Sequence, residues 1–283
     1  MSLQGASADR TSFAQVAQAV LSRKVLLPAA LFLVMAYVLP WLALLYLACG
    51  LYDVSRNRKL DLTTLRLYFF GNDVLLWLLS PLNALFDLLA LPNINKGVYR
   101  LEDLPPEHRE EVKRLIETAE RENLVARLEE RSKAHPRAMV FFKWYGVNVD
   151  TFVDIPAFHQ KWKHVRTIGV SIFRRKVSTA KHFGYLRATF RVLYNINDLN
   201  DHSAYIVVGD QASYWRDNKL FIFDDTLLHQ SFNETEQTRH CMFVDIVRPS
   251  PFPRLMGAVV ILVGLVCRGI YPRFYHPWKV LGR

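Results

Sequence analysis

Apolar residues in this chain gather at its two ends, and between them the hydrophobic pattern changes period. From Val25 to Tyr52 there are 28 residues without one charge, longer than the ~20 that cross a ~30 Å hydrocarbon core. Pro40 interrupts that run, so the pattern predicts a membrane segment that is either one kinked span or a hairpin that dips in and returns. Basic residues flank it on both sides, Arg23 and Lys24 before, Arg56, Arg58 and Lys59 after, so the positive-inside rule assigns no orientation. The run is also too long for a cleaved signal, whose apolar stretch is ~7–15 residues. Residues 68–92 are apolar as well, but Asp73, Ser80, Asn83 and Asp87 line one side of a helix. That stripe predicts an amphipathic helix lying in the membrane interface and bent at Pro81, with a core helix of the soluble part as the alternative. Leu255 to Cys267, a 13-residue apolar run between Arg254 and Arg268, is short for a span and reads as a re-entrant or interfacial anchor.

Between these ends the chain is globular in pattern. Asp103-Leu-Pro-Pro-Glu107 is a helix-start signal, and residues 107–131 carry Val112, Leu115, Ile116 and Ala119 at helical spacing, which predicts one solvated helix. From Ala138 onward the chain breaks into short runs rich in β-branched and aromatic residues: 138–144, 165–173, 185–194, 203–209, 219–225 and 239–247. Turn-rich pieces such as 195–201 and 209–218 separate them, the spacing of an antiparallel sandwich or barrel. The expected organisation is therefore a polar tail (1–24), membrane and interfacial helices (25–92), a helical linker (93–136), a β domain (137–250) and a C-terminal anchor with a basic tail (251–283).

Composition narrows the partners. Lys and Arg number 36 against 26 Asp and Glu, a net charge of +10 that favours an anionic partner such as a membrane surface, nucleic acid or an acidic lipid. The apolar ends select the bilayer. The charges of 107–131 mix both signs, which marks a solvated face and not a nucleic-acid surface. Cys49, Cys241 and Cys267 have no metal-type spacing, two lie inside apolar runs, and they read as reduced, packed thiols facing a reducing compartment. No glycine-rich nucleotide fingerprint interrupts the β runs.

The candidate chemistry sits in the β domain. His182 precedes one predicted strand and His229 follows another, so a barrel would bring both imidazoles to one place as metal ligands. Arg239, ten residues after His229 at the start of a strand, is placed to grip a carboxylate bidentately. Arg191 interrupts an apolar strand, and spacing alone leaves it either surface-facing or buried against an anion.

The stretch Trp215-Arg-Asp-Asn-Lys-Leu-Phe-Ile-Phe-Asp-Asp-Thr-Leu-Leu-His229-Gln-Ser-Phe-Asn, followed by Arg239 and Asp245-Ile-Val-Arg-Pro249, resembles the aspartyl/asparaginyl β-hydroxylase family over residues 137–250. The resemblance implies a mainly β, double-stranded β-helix (jelly roll, cupin-like) fold and an Fe(II)- and 2-oxoglutarate-dependent dioxygenase that uses O2. Carried over, it makes His182 and His229 the iron ligands, places Arg239 with Ser171 on the distal carboxylate of 2-oxoglutarate and Arg191 at the chelating end, and leaves Asp224-Asp225 as supporting scaffold. Phe142-Lys-Trp-Tyr-Gly146 and the membrane-embedded ends are similar to bacterial lipid A acyl-chain 2-hydroxylases and their ornithine-lipid relatives. That similarity implies a bacterial inner-membrane enzyme with its catalytic domain on the cytoplasmic side, acting on a lipid with an anionic headgroup.

Three departures accompany the resemblance. Gly184 stands where the lipid hydroxylases carry a carboxylate two residues after the first histidine, as it does in the peptidyl enzymes, and an open coordination position of that kind also suits halogenation. Leu193 stands where the family often has His. Arg174-Arg175-Lys176 replaces a Pro-Gly turn and puts a basic run by the mouth of the site. The competing readings are a membrane-tethered peptidyl Asp/Asn hydroxylase and an inactive binding protein on the same fold.

Overall fold

The computed structural model describes residues 23–71 and 74–282, so most of the polar tail, and Asp73 of the predicted stripe, fall outside the described residues. The uncharged run folds as two 16-residue helices, α1 (Arg23–Val38) and α2 (Pro40–Ser55). Leu39, at φ −136° and ψ 68°, leaves helical geometry between them, as a residue before proline must. Phe32 of α1 and Tyr46 of α2 both meet Trp77 edge-on, at 5.9 Å each, so the two helices converge on one ring as a hairpin. No helix among the described residues is long and apolar enough to cross a membrane.

The stretch expected to be one bent interfacial helix is divided into α3 (Leu62–Arg66), a π-helical turn (Leu67–Gly71), α4 (Val74–Leu78) and α5 (Ser80–Leu89). The polar stripe of α5 points into the protein and its apolar residues point outward. Ser80 and Asn83 are fully buried, whereas Leu85 and Leu88 are exposed. The reason is chemical: the β domain offers buried partners to the polar side chains, with Asn83 Nδ2 donating to the carbonyl of Tyr185 at 3.0 Å and Asn83 Oδ1 accepting from the amide of Arg187 at 2.9 Å.

The predicted solvated helix is two helices, α6 (Pro106–Arg121) and α7 (Leu124–Ser132), separated at Asn123, whose φ of +46° is a left-handed conformation that asparagine tolerates. Their apolar faces cover one side of a large sheet.

That sheet contains β1 (Val98–Tyr99), β2 (Arg137–Trp144), β3 (Val147–Asn148), β4 (Val165–Phe173), β5 (Thr189–Asn195), β8 (Leu220–Phe223), β10 (Arg239–Val247) and β11 (Lys279–Leu281), in the order β1-β8-β5-β10-β4-β2-β11, with β3 on β2. A second sheet, β7-β6-β9, is made of β6 (Ala204–Val208), β7 (Gln211–Tyr214) and β9 (His229–Asn233). All pairings are antiparallel except β11 with β2. A one-turn helix, α8 (Pro156–His159), leads into β4.

Side-chain alternation explains why the central strands are apolar on both faces. Val140, Phe142, Val192, Val244 and Ile246 face α6 and α7. Met139, Phe141, Leu193, Cys241 and Phe243 face Ala204, Ile206 and Val208 of the small sheet. The candidate site lies in this second interface. The strand beginning at Tyr185 in the sequence reading starts only at Thr189, and His229 opens a strand of its own.

After the sandwich the chain forms α9 (Pro253–Cys267). Met256 and Val260 pack with Phe86 of α5 and with Leu186 and Val247. Gly264 lets the helix close on the β2–β3 turn, since a Cβ there would come within 2.9 Å of Tyr145 Cβ. That turn is the Trp-Tyr-Gly stretch singled out above; Tyr145 (φ +42°) and Gly146 (φ +83°) give the two left-handed residues of a tight hairpin. The outer faces of the hairpin, α5 and α9 stay uncovered and apolar: Tyr37 is 90% exposed, Trp41 83%, Leu88 66% and Val266 76%.

Candidate active site

β10 sets the geometry. Because side chains alternate, Arg239, Cys241, Phe243 and Asp245 share the inward face, and their register partners carry Ser171 on β4 (opposite Cys241) and Leu193 and Arg191 on β5 (opposite Phe243 and Asp245). The small sheet contributes His229, the first residue of β9, to the facing wall. His182 is joined to it by an isolated bridge: each residue's amide donates to the other's carbonyl, at 3.0 and 2.9 Å.

The imidazole centroids of His182 and His229 are 4.2 Å apart. Nδ1 of His182 donates to the carbonyl of Ala180 at 2.9 Å, and Nδ1 of His229 donates to that of Leu227 at 2.8 Å. A carbonyl only accepts, so both Nδ1 atoms carry the proton and each Nε2 keeps its lone pair. Burial lowers the pKa of both rings, that of His229 further because His182 lies beside it. Two neutral imidazoles side by side, each with its Nε2 lone pair, are the donor type a metal ion takes. Among the described residues no group of three His, Cys, Asp or Glu side chains is arranged to hold one.

Gly184 explains the missing carboxylate. A Cβ at 184 would lie 2.6 Å from Asp225 Oδ1 and closer still to Cγ and Oδ2. The carboxylate of Asp225 thus fills the space that a side chain two residues after His182 would need. Its Oδ2 accepts from Arg191 at 2.7 Å, while Asp245 Oδ1 accepts from Arg191 Nε at 2.7 Å. Arg191 is therefore buried against anions, which settles the choice left open by its spacing. Its guanidinium lies 3.7 Å from the centroid of Phe243.

Arg239 is the opposite case. It is 1% exposed, lies 3.9 Å over Phe173 and 5.0 Å from Trp215, and donates to Ser231 Oγ at 2.9 Å. Its Nε has no partner, and among the described residues no carboxylate pairs with it. Burial pulls its pKa down to about 10. An unpaired buried cation is costly, and an anionic ligand removes that cost. Ser171, expected beside Arg239, donates instead to the carbonyl of Cys241 at 3.2 Å; the hydroxyl on Arg239 belongs to Ser231.

The loop from Asp224 to His229 is held from outside the sandwich, by residues that spacing did not single out for the site. Arg56, one residue past α2, donates to Asp224 Oδ2 at 2.5 Å and to Thr226 Oγ1 at 3.2 Å, and Asn57 Oδ1 accepts from the amide of Leu228 at 2.8 Å. Behind them lies a buried ionic joint. Arg187 pairs with Asp53 of α2 and, at 2.7 Å, with Asp87 of α5, and Arg248 pairs with Asp87. A lone acid closing an uncharged run, Asp53, was the available sequence signal.

The basic run beside the site is already neutralised: Arg174 pairs with Glu129 at 2.6 Å, Lys176 with Glu236 at 2.6 Å and Arg175 with Glu236 at 3.9 Å. The exposed cations without an ion pair among the described residues include Arg254, Arg268 and Arg273, which bracket α9.

An antiparallel sandwich with two neighbouring imidazoles and an unpaired buried guanidinium between its sheets narrows the class to mainly β proteins with an internal polar site. The particular family follows from comparison: residues 107–249 match the aspartyl/asparaginyl β-hydroxylase model, and the chain belongs to that family of hydroxylases. It is 33% identical over 96 residues to an ornithine lipid ester-linked acyl 2-hydroxylase of Rhizobium tropici; the match spans 33% of this chain and 34% of that relative. Among solved structures, a salicylate 1,2-dioxygenase from Pseudaminobacter salicylatoxidans aligns over 54% of this chain and 36% of its own, with 14% identity and a TM-score of 0.29. An oxidoreductase of the 2OG-Fe(II) oxygenase family from Burkholderia pseudomallei aligns over 33% and 50%, with 10% identity and a TM-score of 0.26. Superpositions this loose carry no argument.

Proposed function

We propose that this chain is an Fe(II)- and 2-oxoglutarate-dependent hydroxylase of a membrane-lipid acyl chain, working from the surface of the bilayer. The observation that carries the reading is the combination, in one interface, of two imidazoles with available Nε2 atoms and a buried Arg239 without an anion. His182 and His229 would hold the iron through Nε2, and Arg239 with Ser231 would take the distal carboxylate of 2-oxoglutarate. When bound, iron with 2-oxoglutarate and O2 supplies the oxidising power, with succinate and CO2 released and one oxygen atom delivered to a C–H bond. The chain's own share is orientation and dryness. The backbone bridge fixes the two histidines relative to each other, and Phe223, 5.1 Å from His229, shields the ring from water.

The bilayer enters through the outer surface. The hairpin, α5 and α9 leave many large apolar side chains exposed, and unpaired arginines border α9 where headgroup phosphates would sit. A monotopic seat, with the hairpin re-entrant, agrees with helices of 16 and 15 residues. The partial likeness to a lipid acyl hydroxylase points the same way. Expression of the chain in a bacterium should add one oxygen to a membrane lipid, detected by lipid mass spectrometry and lost in His229→Ala. Unchanged lipids together with hydroxylated Asp or Asn in a protein would favour the peptidyl reading, which Gly184 supports. Absence of any iron-dependent succinate formation would leave a binding protein.

A further inference from the structure

After α9 the chain turns back over the open end of the sandwich, through a 3-10 helix, Tyr271–Tyr275, before β11 docks beside β2. This strap lies outside the family match and is aromatic on its inner side. Tyr275 lies 4.8 Å from Phe141 and 5.9 Å from Phe243, the ring that carries the guanidinium of Arg191. Tyr271 lies 5.3 Å from Trp144, and Phe274 lies 5.9 Å from Tyr185, three residues after His182. The strap thus bridges the end of α9 and the rim of the site. At its far side the same segment continues into the exposed apolar face of α9, through Leu262, Leu265, Val266 and Ile270.

The attachment of the strap is light for a structural element. It is held at both ends, by α9 and by β11, but between them its side-chain hydrogen bond to the sandwich is Trp144 Nε1 donating to Tyr275 Oη at 2.9 Å. Pro272, Arg273, His276 and Pro277 are exposed. Aromatic plates meeting edge-on and face-on, with that single hydrogen bond among the described contacts between strap and sandwich, can part for an apolar guest mainly at the cost of contact area.

We propose that the seam between the strap residues Tyr271 and Phe274 and the sandwich residues Trp144 and Tyr185 is the acyl-chain subsite, taking a saturated hydrocarbon tail drawn from the bilayer along α9. The inference rests on the lipid reading above and adds to it the place where the tail lies. A tail in this seam has its far end toward the membrane face and its carboxyl-proximal carbons toward His182. Chain-length preference is then set by the strap.

The test uses the full chain in mixed micelles with Fe(II) and 2-oxoglutarate, and synthetic ornithine lipids whose esterified acyl chains differ stepwise in length. Phe274→Ala and Tyr271→Ala should raise KM for the longer-chain lipids by about tenfold or more and shift the preferred length. A lipid with a photoreactive group at the acyl terminus should label the peptide that contains residues 271–278 in the wild-type protein, a readout that stands even where a variant fails to fold. Wild-type hydroxylation with unaltered length preference in both variants, and labelling elsewhere, would overturn the subsite alone. Failure of the wild-type protein to oxidise any lipid, with turnover on an Asp or Asn peptide, would overturn the lipid reading and the subsite with it.

Discussion

Gly184→Ala is the smallest change that probes the centre. The added Cβ would stand 2.6 Å from Asp225 Oδ1 and nearer to Cγ, against an ordinary contact of about 3.5–4.0 Å. One of the two must therefore move by roughly an ångström. The backbone of 184 has little freedom, because its amide donates to the carbonyl of Asp225 at 2.6 Å, so the carboxylate is the group displaced. That displacement stretches the 2.7 Å pair with Arg191, a buried pair at 10% and 9% side-chain exposure. Breaking a buried pair costs about 3–5 kcal/mol; Asp245 still holds Arg191, so the lower end, about 3 kcal/mol, is expected. For a chain of this size that is a fall in Tm of roughly 5–10 °C, measured by thermal unfolding of the detergent-solubilised protein. Pairing Gly184→Asp with Asp225→Gly empties the space and should recover stability relative to Gly184→Asp alone, because the introduced carboxylate then replaces the one removed. A Gly184→Ala protein as stable as the wild type, or a double variant no better than Gly184→Asp, would refute the argument that Asp225 occupies the missing side chain's place.

Three other outcomes follow from the same structure. Arg239→Met removes an unpaired buried charge, so the protein without 2-oxoglutarate should gain about 1–2 kcal/mol in urea unfolding while the thermal shift that 2-oxoglutarate produces in the wild type disappears. Asn57→Ala removes the acceptor of the Leu228 amide and should cost about 1–3 kcal/mol; it should also weaken Co(II) binding and change the Co(II) spectrum, since the loop it releases ends at His229. The pKa values of His108 and His240 are pushed down to about 4 by burial, aided at His108 by the stacked His164, 3.7 Å away. Both histidines stay neutral in the fold while the unfolded chain takes up protons below pH ~6.5, so stability is full above that pH and falls as pH drops toward 4, by about 3 kcal/mol per histidine. His108→Gln should flatten part of that fall in urea titrations from pH 7.5 to 4.5.

The long strands were legible because their alternation and turn boundaries are local: 165–173 and 239–247 fold as read. β9 was not, since His-Gln-Ser-Phe-Asn offers one large apolar residue and becomes a strand only by pairing with β6. The break at Pro40 was legible as an interruption, but its outcome as a hairpin depends on Trp77, thirty-seven residues away. On α5 the stripe was visible while its direction was not. A polar stripe states that two environments exist and leaves open which is water, and here the polar environment is the β domain. The site residues were read from type and order; the fact that Arg191 is already paired and Arg239 is not depends on partners distant in sequence, which no local pattern encodes.

The direction of that stripe has a consequence for anyone who wishes to isolate the β-sandwich in water. Cutting the chain before Val98 discards the hairpin and α5 from the oily exterior, but it removes Asp53, Arg56 and Asp87 in the same stroke. Arg248 loses its acid, Arg187 keeps only Asp224 at 3.8 Å, and Asp224 loses its nearest base, in an interior that was sealed around all three. The N-terminal helices are thus the counter-ions of the β-sandwich, and a sandwich cut free of them should unfold more readily than the full chain.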